Sequence, residues 1–385
     1  MPTSISLPGA LQSELSAVAE LARKYFANEV APREEDHALA GHPDPALYRR
    51  AGELGLLGMS IPECFGGGGG DFGHLAVLID EQIRAGVSSM GFAITEGIVA
   101  HYLLAYASEE QKQRWLPRLC SGEAVGAIAM TEPGTGSDLQ AIRTRAVRQG
   151  DEFLVSGAKT FITNGWLCKL LIIAARTGED ESASGISLLV AEVDDDTPGF
   201  RRGRILKKIG QKGQDTAELF FDELRIPAAN VLGATVGRGF YQLMEQLPQE
   251  RLITAIIAQA MSETALAATI DYTKTRNAFG KPLFAMQNTR FELAECATIT
   301  RINRGFLDDC IATHCQGGLD AVTASMAKYW ITDRTAEVVD RCQQLFGGYG
   351  YCLEYPIAGL YADNRVLRVL AGANEVMKEL IARSL

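Results

Sequence analysis

Apolar residues recur at three- and four-residue spacing through the first third of the chain, a pattern that predicts helices broken by loops. The first such stripe consists of Leu7, Leu11, Leu15, Val18, Leu21 and Ala22. Ser108 followed three residues later by Gln111 is typical of a capping box, so we expect a helix to start there and run through Trp115. Residues 1–125 are therefore predicted to form a helical domain.

The pattern changes near residue 126 to short apolar runs separated by Gly and Pro at turn spacing. The runs expected to be strands are 153–155, 170–174, 186–193 and 219–221. No helix-length segment separates them, as a parallel crossover would require, so we expect a small antiparallel sheet or barrel within residues 126–235.

Helical periodicity returns after residue 235 and lasts to the C-terminus. The apolar positions at helical spacing are Leu252, Ile256, Ala260 and Ala267 in one segment, and Ala321, Ala324, Ala327 and Ile331 in another. The chain is therefore predicted to be of the α+β class, with a helical domain at 1–125, a β domain at 126–235 and a second helical domain at 236–385.

Length and charge narrow the class of protein. The 385 residues are 47% apolar and 22% charged, which excludes disordered, collagen-like and coiled-coil chains. The net charge of −10 leaves no cation excess for nucleic acid or an anionic membrane, so any phosphate must be held locally. We see no membrane span, and eight cysteines without a C-x-x-C pair favour a reducing compartment. A cytoplasmic protein is expected, or a mitochondrial-matrix one if this is a mature form.

Common catalytic signatures are missing from the sequence. It contains no G-x-S-x-G, H-E-x-x-H or P-loop motif, and the G-x-G-x-x-G spacing occurs only in the glycine run at 68–73, which follows no predicted strand. This disfavours the usual hydrolases and NAD enzymes. Cys310, His314 and Cys315 are close in sequence, but three candidate ligands with no second pair nearby favour structural side chains. No metal is therefore expected.

Three Gly-rich polar segments are candidate ligand sites. Loop 130–138 mixes glycines with Thr and Ser hydroxyls, so its backbone could approach an anionic or heteroaromatic cofactor, although a plain β-turn is equally consistent. Loop 161–165 ends in Asn-Gly, which a simple hairpin would explain. Segment 344–351 interrupts a helix with three glycines, each costing about 1 kcal/mol in a helix interior, and that favours ligand contact.

At this point the sequence resembles a family. Residues 129–141 resemble the first acyl-CoA dehydrogenase signature in order and spacing, residues 344–365 resemble the second, and residues 275–282 are similar to the family's cofactor-binding turn at the subunit contact. The resemblance covers nearly the whole chain. It implies a helical domain, a middle antiparallel β-barrel domain and a C-terminal four-helix bundle. It also implies a non-covalent FAD and α,β-dehydrogenation of an acyl-CoA to the trans-2-enoyl-CoA in β-oxidation.

The resemblance implies two groups of FAD-binding residues. Within one chain, Thr131 and Thr163 are implied to hydrogen-bond the flavin ring, Met130 to contribute backbone contacts and Phe161 to pack on the ring. The other residues carried over to the cofactor are Ser137, near the pyrophosphate and the substrate, then Asn374 and Glu375, and, for the FAD of a neighbouring subunit, Arg276, Phe279, Gln287, Gln344, Gly347 and Gly348. One FAD completed by two chains implies an oligomer, a homotetramer, with electron-transfer flavoprotein as the electron acceptor.

The C-terminal loop departs from the family pattern. Many members carry the catalytic glutamate at the position of Ala371, and alanine cannot accept a proton. Residues 247–252 resemble the long-chain members, which take their base from an earlier helix, so Glu250 is the candidate base. Burial by the acyl chain would raise its pKa. Tyr241, Arg251 and Gly372 are candidates for the CoA and thioester region.

Medium to long acyl chains are favoured by this resemblance, and several alternatives stay open. A short branched-chain or terpenoid acyl-CoA dehydrogenase is compatible with an earlier base. A non-catalytic acyl-CoA-binding flavoprotein would explain the missing glutamate at Ala371 directly. An oxidase that passes electrons to oxygen is a third alternative. Ala373 also replaces a threonine that is usual in the family, which puts one flavin or substrate contact in doubt.

Overall fold

The computed structural model describes residues 12–178 and 182–385, so Leu7 and Leu11 of the first apolar stripe lie outside the described residues. The helices before the sheet are α1 Gln12–Tyr25, α2 Glu34–Ala40, α3 Pro45–Glu53, α4 Phe72–Arg84, α5 Phe92–Ile94, α6 Ala100–Tyr106 and α7 Glu109–Cys120. The capping box is confirmed: Gln111 N–H donates to Ser108 Oγ at 3.2 Å, and Ser108 N–H donates to Gln111 Oε1 at 2.8 Å.

The run from α5 to α6 contains a π-helical turn at Thr95–Val99. Such turns insert a residue into a helix and often occur at functional sites. A Cβ on Gly97 would lie 2.4 Å from Ile253 Cδ1, so any larger residue would require this side chain of the long helix after the sheet to move. Gln249 Nε2 donates to Gly97 O at 2.6 Å and fixes the contact.

Seven strands form the middle sheet: β1 Gly126–Ala129, β2 Arg145–Gln149, β3 Glu152–Thr163, β4 Leu170–Arg176, β5 Ile186–Glu192, β6 Phe200–Ile205 and β7 Thr216–Pro227. The predicted β domain is confirmed, and most of its pairs are antiparallel. One expectation is corrected, because β1 runs parallel to β4 with Ile128 opposite Ile172. The β2–β3 hairpin provides the crossover that usually needs a helix. Within the described strands no pairing joins β5 to β6, so the sheet is open there.

Strand β4 is buried along its whole length, which explains its continuous apolar sequence. Ile172 packs on one face with Trp115 of α7, while Ile173 on the other face packs with Val155 of β3. Helices therefore cover one face of the sheet, and on the other face side chains from several strands pack against one another.

Asn164 joins the sheet to the first helical domain rather than forming a plain hairpin turn. Its φ is 62° and its side chain is fully buried. Nδ2 donates to Gly91 O at 3.1 Å, Thr95 Oγ1 at 3.1 Å and Gly126 O at 3.0 Å. The end of β3, next to Thr163, is thereby fixed to the π-helical turn.

The C-terminal part contains two tiny strands, β8 Asn277–Ala278 and β9 Lys281–Pro282, and the helices α8 Gly239–Thr275, α9 Gln287–Cys315, α10 Ala321–Phe346, α11 Pro356–Asp363 and α12 Asn374–Ala382. The second helical domain is confirmed. Three of its helices are long, and the shorter α11 and α12 both pack on α10.

Helix α8 is the central element of the fold. It is long and apolar enough to cross a membrane by length and composition, but 72% of its most apolar window is buried inside the protein, as in a core helix. Arg304 of α9 donates to Glu263 Oε1 of α8 at 2.8 Å and to Asp80 Oδ1 of α4 at 3.0 Å. This buried ionic cluster connects α8 and α9 of the second helical domain to α4 of the first.

Candidate active site

Glu250 lies in the fourth turn of α8, two residues after Pro248, and is only 5% exposed. Tyr102 Oη of α6 donates to Glu250 Oε1 at 2.8 Å. Burial raises the pKa of Glu250 to about 7, and the hydrogen bond from Tyr102 opposes part of that rise. A carboxylate with a pKa near neutrality and one fixed oxygen is suited to accept a proton.

Arg251 is buried beside Glu250 and, within residues 12–178 and 182–385, makes only one hydrogen bond, from Nη1 to Ser325 Oγ of α10 at 3.1 Å. Its Nε has no partner among the described residues. Desolvation lowers the pKa of Arg251. A buried guanidinium with unused donors needs an acceptor, so the geometry agrees with the predicted role of Arg251 in binding a ligand.

A buried ion pair fixes the loop that follows β1. Lys159 Nζ of β3 donates to Met130 O at 2.8 Å and to Glu132 Oε1 at 2.9 Å. The same carboxylate accepts the N–H groups of Arg143 and Thr144, at 2.7 and 2.9 Å. Desolvation lowers the pKa of Lys159 to about 8 despite this partner. Met130 and Thr131 therefore have a rigid backbone.

Phe161 has a φ of 58° and is 66% exposed, although it lies inside β3. The pairing of β3 with β7 shifts register between Lys159 and Ile162, and this bulge turns the ring outward. A strained, exposed aromatic residue is typical of a binding site. The hydroxyls of Thr131 and Thr163 make no hydrogen bond within the described ranges and are free for a ligand.

The loop between α11 and α12 lies against α10. Lys328 Nζ donates to Gly372 O at 2.7 Å and to Asn374 Oδ1 at 2.8 Å. Asn374 Nδ2 donates to Thr332 Oγ1 and Asp333 Oδ1, both at 3.0 Å. The side chain of Asn374 is thus used within the chain, which leaves its backbone as the group that could meet a cofactor.

A cavity of about 390 Å³ lies between α6, α8 and the link from α9 to α10. Its walls include His101, Gln249 and His314. Burial lowers the pKa of both histidines, that of His101 to about 4, so both are neutral at physiological pH. His314 Nε2 lies 3.0 Å from Gln249 Oε1, which makes this histidine a structural partner of the helix that carries Glu250.

Another cavity, of about 600 Å³, is lined by most of the residues that are predicted to bind the cofactor of a neighbouring subunit. Arg276, Gln344, Gly347 and Gly348 line it together. A Cβ on either glycine would meet no atom within 4 Å, so their backbone faces open space. The guanidinium of Arg276 lies 5.3 Å from the ring of Tyr349, over its face.

The other predicted residues lie at the surface. Phe279 forms a two-residue turn with Gly280 between β8 and β9, with φ values of 53° and 78°, and its side chain is 96% exposed. Tyr241, stacked under Arg238, is 41% exposed. Ser137, Gln287 and Glu375 are also exposed. The structure does not place these residues beside Glu250 within the described part of one chain.

Sequence reasoning missed Tyr102, Lys159 and Lys328. The signal for Lys328 was a lysine within the apolar stripe of α10, next to Ala327, and for Lys159 a lysine inside a strand. The partner of each is at least 27 residues away in sequence. Among residues 12–178 and 182–385, no group of three or more His, Cys, Asp or Glu side chains is placed to hold a metal ion.

Three family models match the chain in order. The acyl-CoA dehydrogenase N-terminal domain matches residues 12–123, the middle domain residues 127–224 and the C-terminal domain residues 237–385. Together they cover all three predicted parts of the chain and agree with the resemblance seen in the signatures.

Relatives and solved structures agree with these models. The chain is 44% identical over its 385 residues to the mitochondrial long-chain specific acyl-CoA dehydrogenase of Sus scrofa, covering 89% of that protein. An acyl-CoA dehydrogenase structure from Geobacillus kaustophilus superposes with a TM-score of 0.94 at 44% identity, covering 98% of this chain and 99% of that one. A glutaryl-CoA dehydrogenase from Mycobacterium smegmatis in complex with FADH2 gives 0.88 at 26% identity, with 96% and 94% covered.

Proposed function

We propose that this chain, which belongs to the acyl-CoA dehydrogenase family of oxidoreductases, is catalytically active on medium- to long-chain acyl-CoA thioesters, with Glu250 as its base. The observation that carries the proposal is the buried Glu250 carboxylate, whose pKa of about 7 suits proton abstraction. It supplies the group that Ala371 lacks and favours an enzyme over a non-catalytic flavoprotein.

FAD is the proposed cofactor, and the donor groups fit it. The free hydroxyls of Thr131 and Thr163 next to the exposed ring of Phe161 suit the polar edge and apolar face of a flavin. The open glycine backbone at 347–348, with Gln344 and Arg276, suits the pyrophosphate and ribose groups of a second FAD. When bound, FAD supplies the acceptor for two electrons and the Cβ hydrogen of the acyl chain.

The chain's own residues then have distinct tasks. Glu250 accepts the α-proton at the carboxylate oxygen that Tyr102 does not occupy, while Tyr102 holds the other oxygen and fixes the side-chain orientation. Arg251, with its unused donors, binds a polar group of the CoA thioester. The Lys159–Glu132 pair holds Met130 and Thr131 at the cofactor.

The proposal includes a shared cofactor site and an external electron acceptor. Phe279 is 96% exposed, and its ring is expected to be covered by a second copy of the chain, so that the 600 Å³ cavity completes a neighbour's FAD site in a homotetramer. A monomer mass for the FAD-loaded protein by light scattering would contradict this part. Electron-transfer flavoprotein is the proposed acceptor. Bacterial cytoplasm and mitochondrial matrix both agree with the sources of the relatives.

The test of the function is an anaerobic titration of the FAD-loaded protein with saturated acyl-CoA thioesters of four to eighteen carbons. We expect bleaching of the flavin absorbance, with the fastest reduction for a medium or long chain, and appearance of trans-2-enoyl-CoA. Isovaleryl-CoA and a terpenoid acyl-CoA serve as matched branched substrates. If no thioester bleaches the flavin, the chain is a non-catalytic binding protein; if only branched ones do, the chain-length proposal is wrong.

Tyr102→Phe should change the pH dependence of the reaction. Proton abstraction needs ionised Glu250, so kcat/KM of the wild type is expected to fall about tenfold per pH unit below about 7. Removing the Tyr102 hydroxyl removes a hydrogen bond that favours the ionised form, which raises the pKa of Glu250 and moves the acidic limb upward by about half to one unit. Tyr106→Phe, one turn along α6, is the control. An unmoved limb in Tyr102→Phe would show that Glu250 is not the titrating base.

A further inference from the structure

Lys328 is a fully buried lysine in the middle of α10, and the proposed function gives it no task. Its Nζ donates to Gly372 O at 2.7 Å and to Asn374 Oδ1 at 2.8 Å. No carboxylate of the described residues lies within ion-pair distance of it. A buried ammonium bound only to neutral acceptors is expensive to desolvate, so its retention calls for a physical reason.

The loop that Lys328 holds is strained. Ala371 and Gly372 are consecutive residues with positive φ, 54° and 90°. A non-glycine residue such as Ala371 is disfavoured in this region, because its Cβ lies too close to the following carbonyl oxygen. A Cβ on Gly372 would approach Met377 Cε to 2.7 Å, so the loop also sits tightly on α12. The loop keeps this conformation only if its surroundings impose it, and the two hydrogen bonds of Lys328 do so.

Lys328 also lies next to Arg251. Ser325, the partner of Arg251, is one turn before Lys328 on the same face of α10. Burial has the largest effect on the pKa of Lys328 and lowers it to about 8; the charge of Arg251 also lowers it, while Asp333 and Glu375 raise it. Arg251 and Gly372, both assigned to the thioester region, are thus set against a single face of α10.

We propose that Lys328 is a positioning residue for the reaction: it fixes the 371–374 loop against α10 and so sets Gly372 relative to Arg251 at the thioester end of the substrate. The proposal rests on the function proposed above. A displaced loop misaligns the reacting end of the substrate, which lowers the rate of the chemical step more than it weakens substrate binding. Lys328 acts through the backbone carbonyl of Gly372 and needs no contact with the acyl chain.

The test compares Lys328→Met with Lys378→Met, which removes a half-exposed lysine from neighbouring α12. In Lys328→Met, we expect amides of residues 370–376 to exchange hydrogen at least about tenfold faster, with the remainder of the chain unchanged. The rate of flavin reduction at saturating acyl-CoA should fall at least about tenfold while KM stays within about threefold. Lys378→Met should change neither quantity.

Two results would overturn the proposal: unchanged exchange in the loop, or a KM that rises in step with the loss of rate. If Lys328→Met does not fold, Lys328→Gln is used in its place. Its side chain keeps an N–H donor but is shorter, and the same two measurements apply. Hydrogen exchange needs no substrate, so it tests the contact separately. A wild type that no acyl-CoA bleaches would reject the proposed function while leaving the exchange result to decide about the loop.

Discussion

Glu250→Gln is expected to lower the rate of flavin reduction by acyl-CoA by about 10²- to 10⁴-fold, the range for a lost general base. Glutamine has nearly the same shape and can still accept the hydrogen bond from Tyr102, but it cannot take up a proton at neutral pH. Loop 130–138 is held at Met130 by Lys159, and this contact does not involve Glu250. Bound FAD and its absorbance should therefore match the wild type. Rapid anaerobic mixing with the best thioester of the panel measures the rate.

Glu245→Gln is the matched control, since Glu245 lies on the same helix and accepts a hydrogen bond from Tyr106 instead. It should reduce its flavin within about twofold of the wild-type rate. Wild-type reduction by Glu250→Gln would mean that another group takes the proton, and the assignment of the base would have to be abandoned.

Glu250→Gln should also stabilise the folded protein at alkaline pH. The pKa of Glu250 is raised from 4.5 to about 7 on folding, so its favourable contribution is complete below pH 4.5 and is lost as the pH rises through 7. Glutamine does not titrate. Glu250→Gln is thus expected to melt at a higher temperature than the wild type at pH 8, with the advantage shrinking toward pH 5.

Lys159→Met is expected to cost about 3 to 5 kcal/mol of stability, because it leaves the buried carboxylate of Glu132 without its cation. The backbone of Met130 also loses its anchor, so FAD binding should weaken together with stability. Urea denaturation of the apoprotein measures the first effect, and the flavin content after gel filtration measures the second.

Two variants make this result specific. Lys24→Met breaks an exposed ion pair with Glu20 and should shift stability by less than about 1 kcal/mol. The double variant Lys159→Met with Glu132→Gln removes both charges and should recover part of the loss. An equal denaturation midpoint for Lys159→Met and Lys24→Met would show that the buried pair does not hold the loop.

Local sequence patterns predicted those parts of the fold whose cause is local. The capping box at Ser108 needs only residues three positions apart, and the apolar run of β4 indicates its own burial. The pairing of β1 with β4 could not be predicted, because it depends on a hairpin acting as a crossover. Asn164 looked like a hairpin residue since its three hydrogen-bond acceptors lie 38 to 73 residues away.

The candidate site divides in the same way. Glu250 is a candidate base because a motif marks it, and the sequence predicts that the acyl chain buries it; the structure shows that the protein's own side chains already do so. Tyr102, Lys159 and Lys328 carry no motif in isolation. Their importance comes from tertiary neighbours, and a buried lysine looks in sequence like any other lysine.

Helix α8 separates two groups of proposed site residues in each chain. Glu250 lies near its start, and Arg276, assigned to a neighbour's cofactor, follows its end. At about 1.5 Å per residue, the helix separates these positions by roughly 40 Å. In the proposed oligomer, Glu250 and Arg276 of one chain would therefore serve two different cofactor sites, and each site would need its own encounter with an electron acceptor.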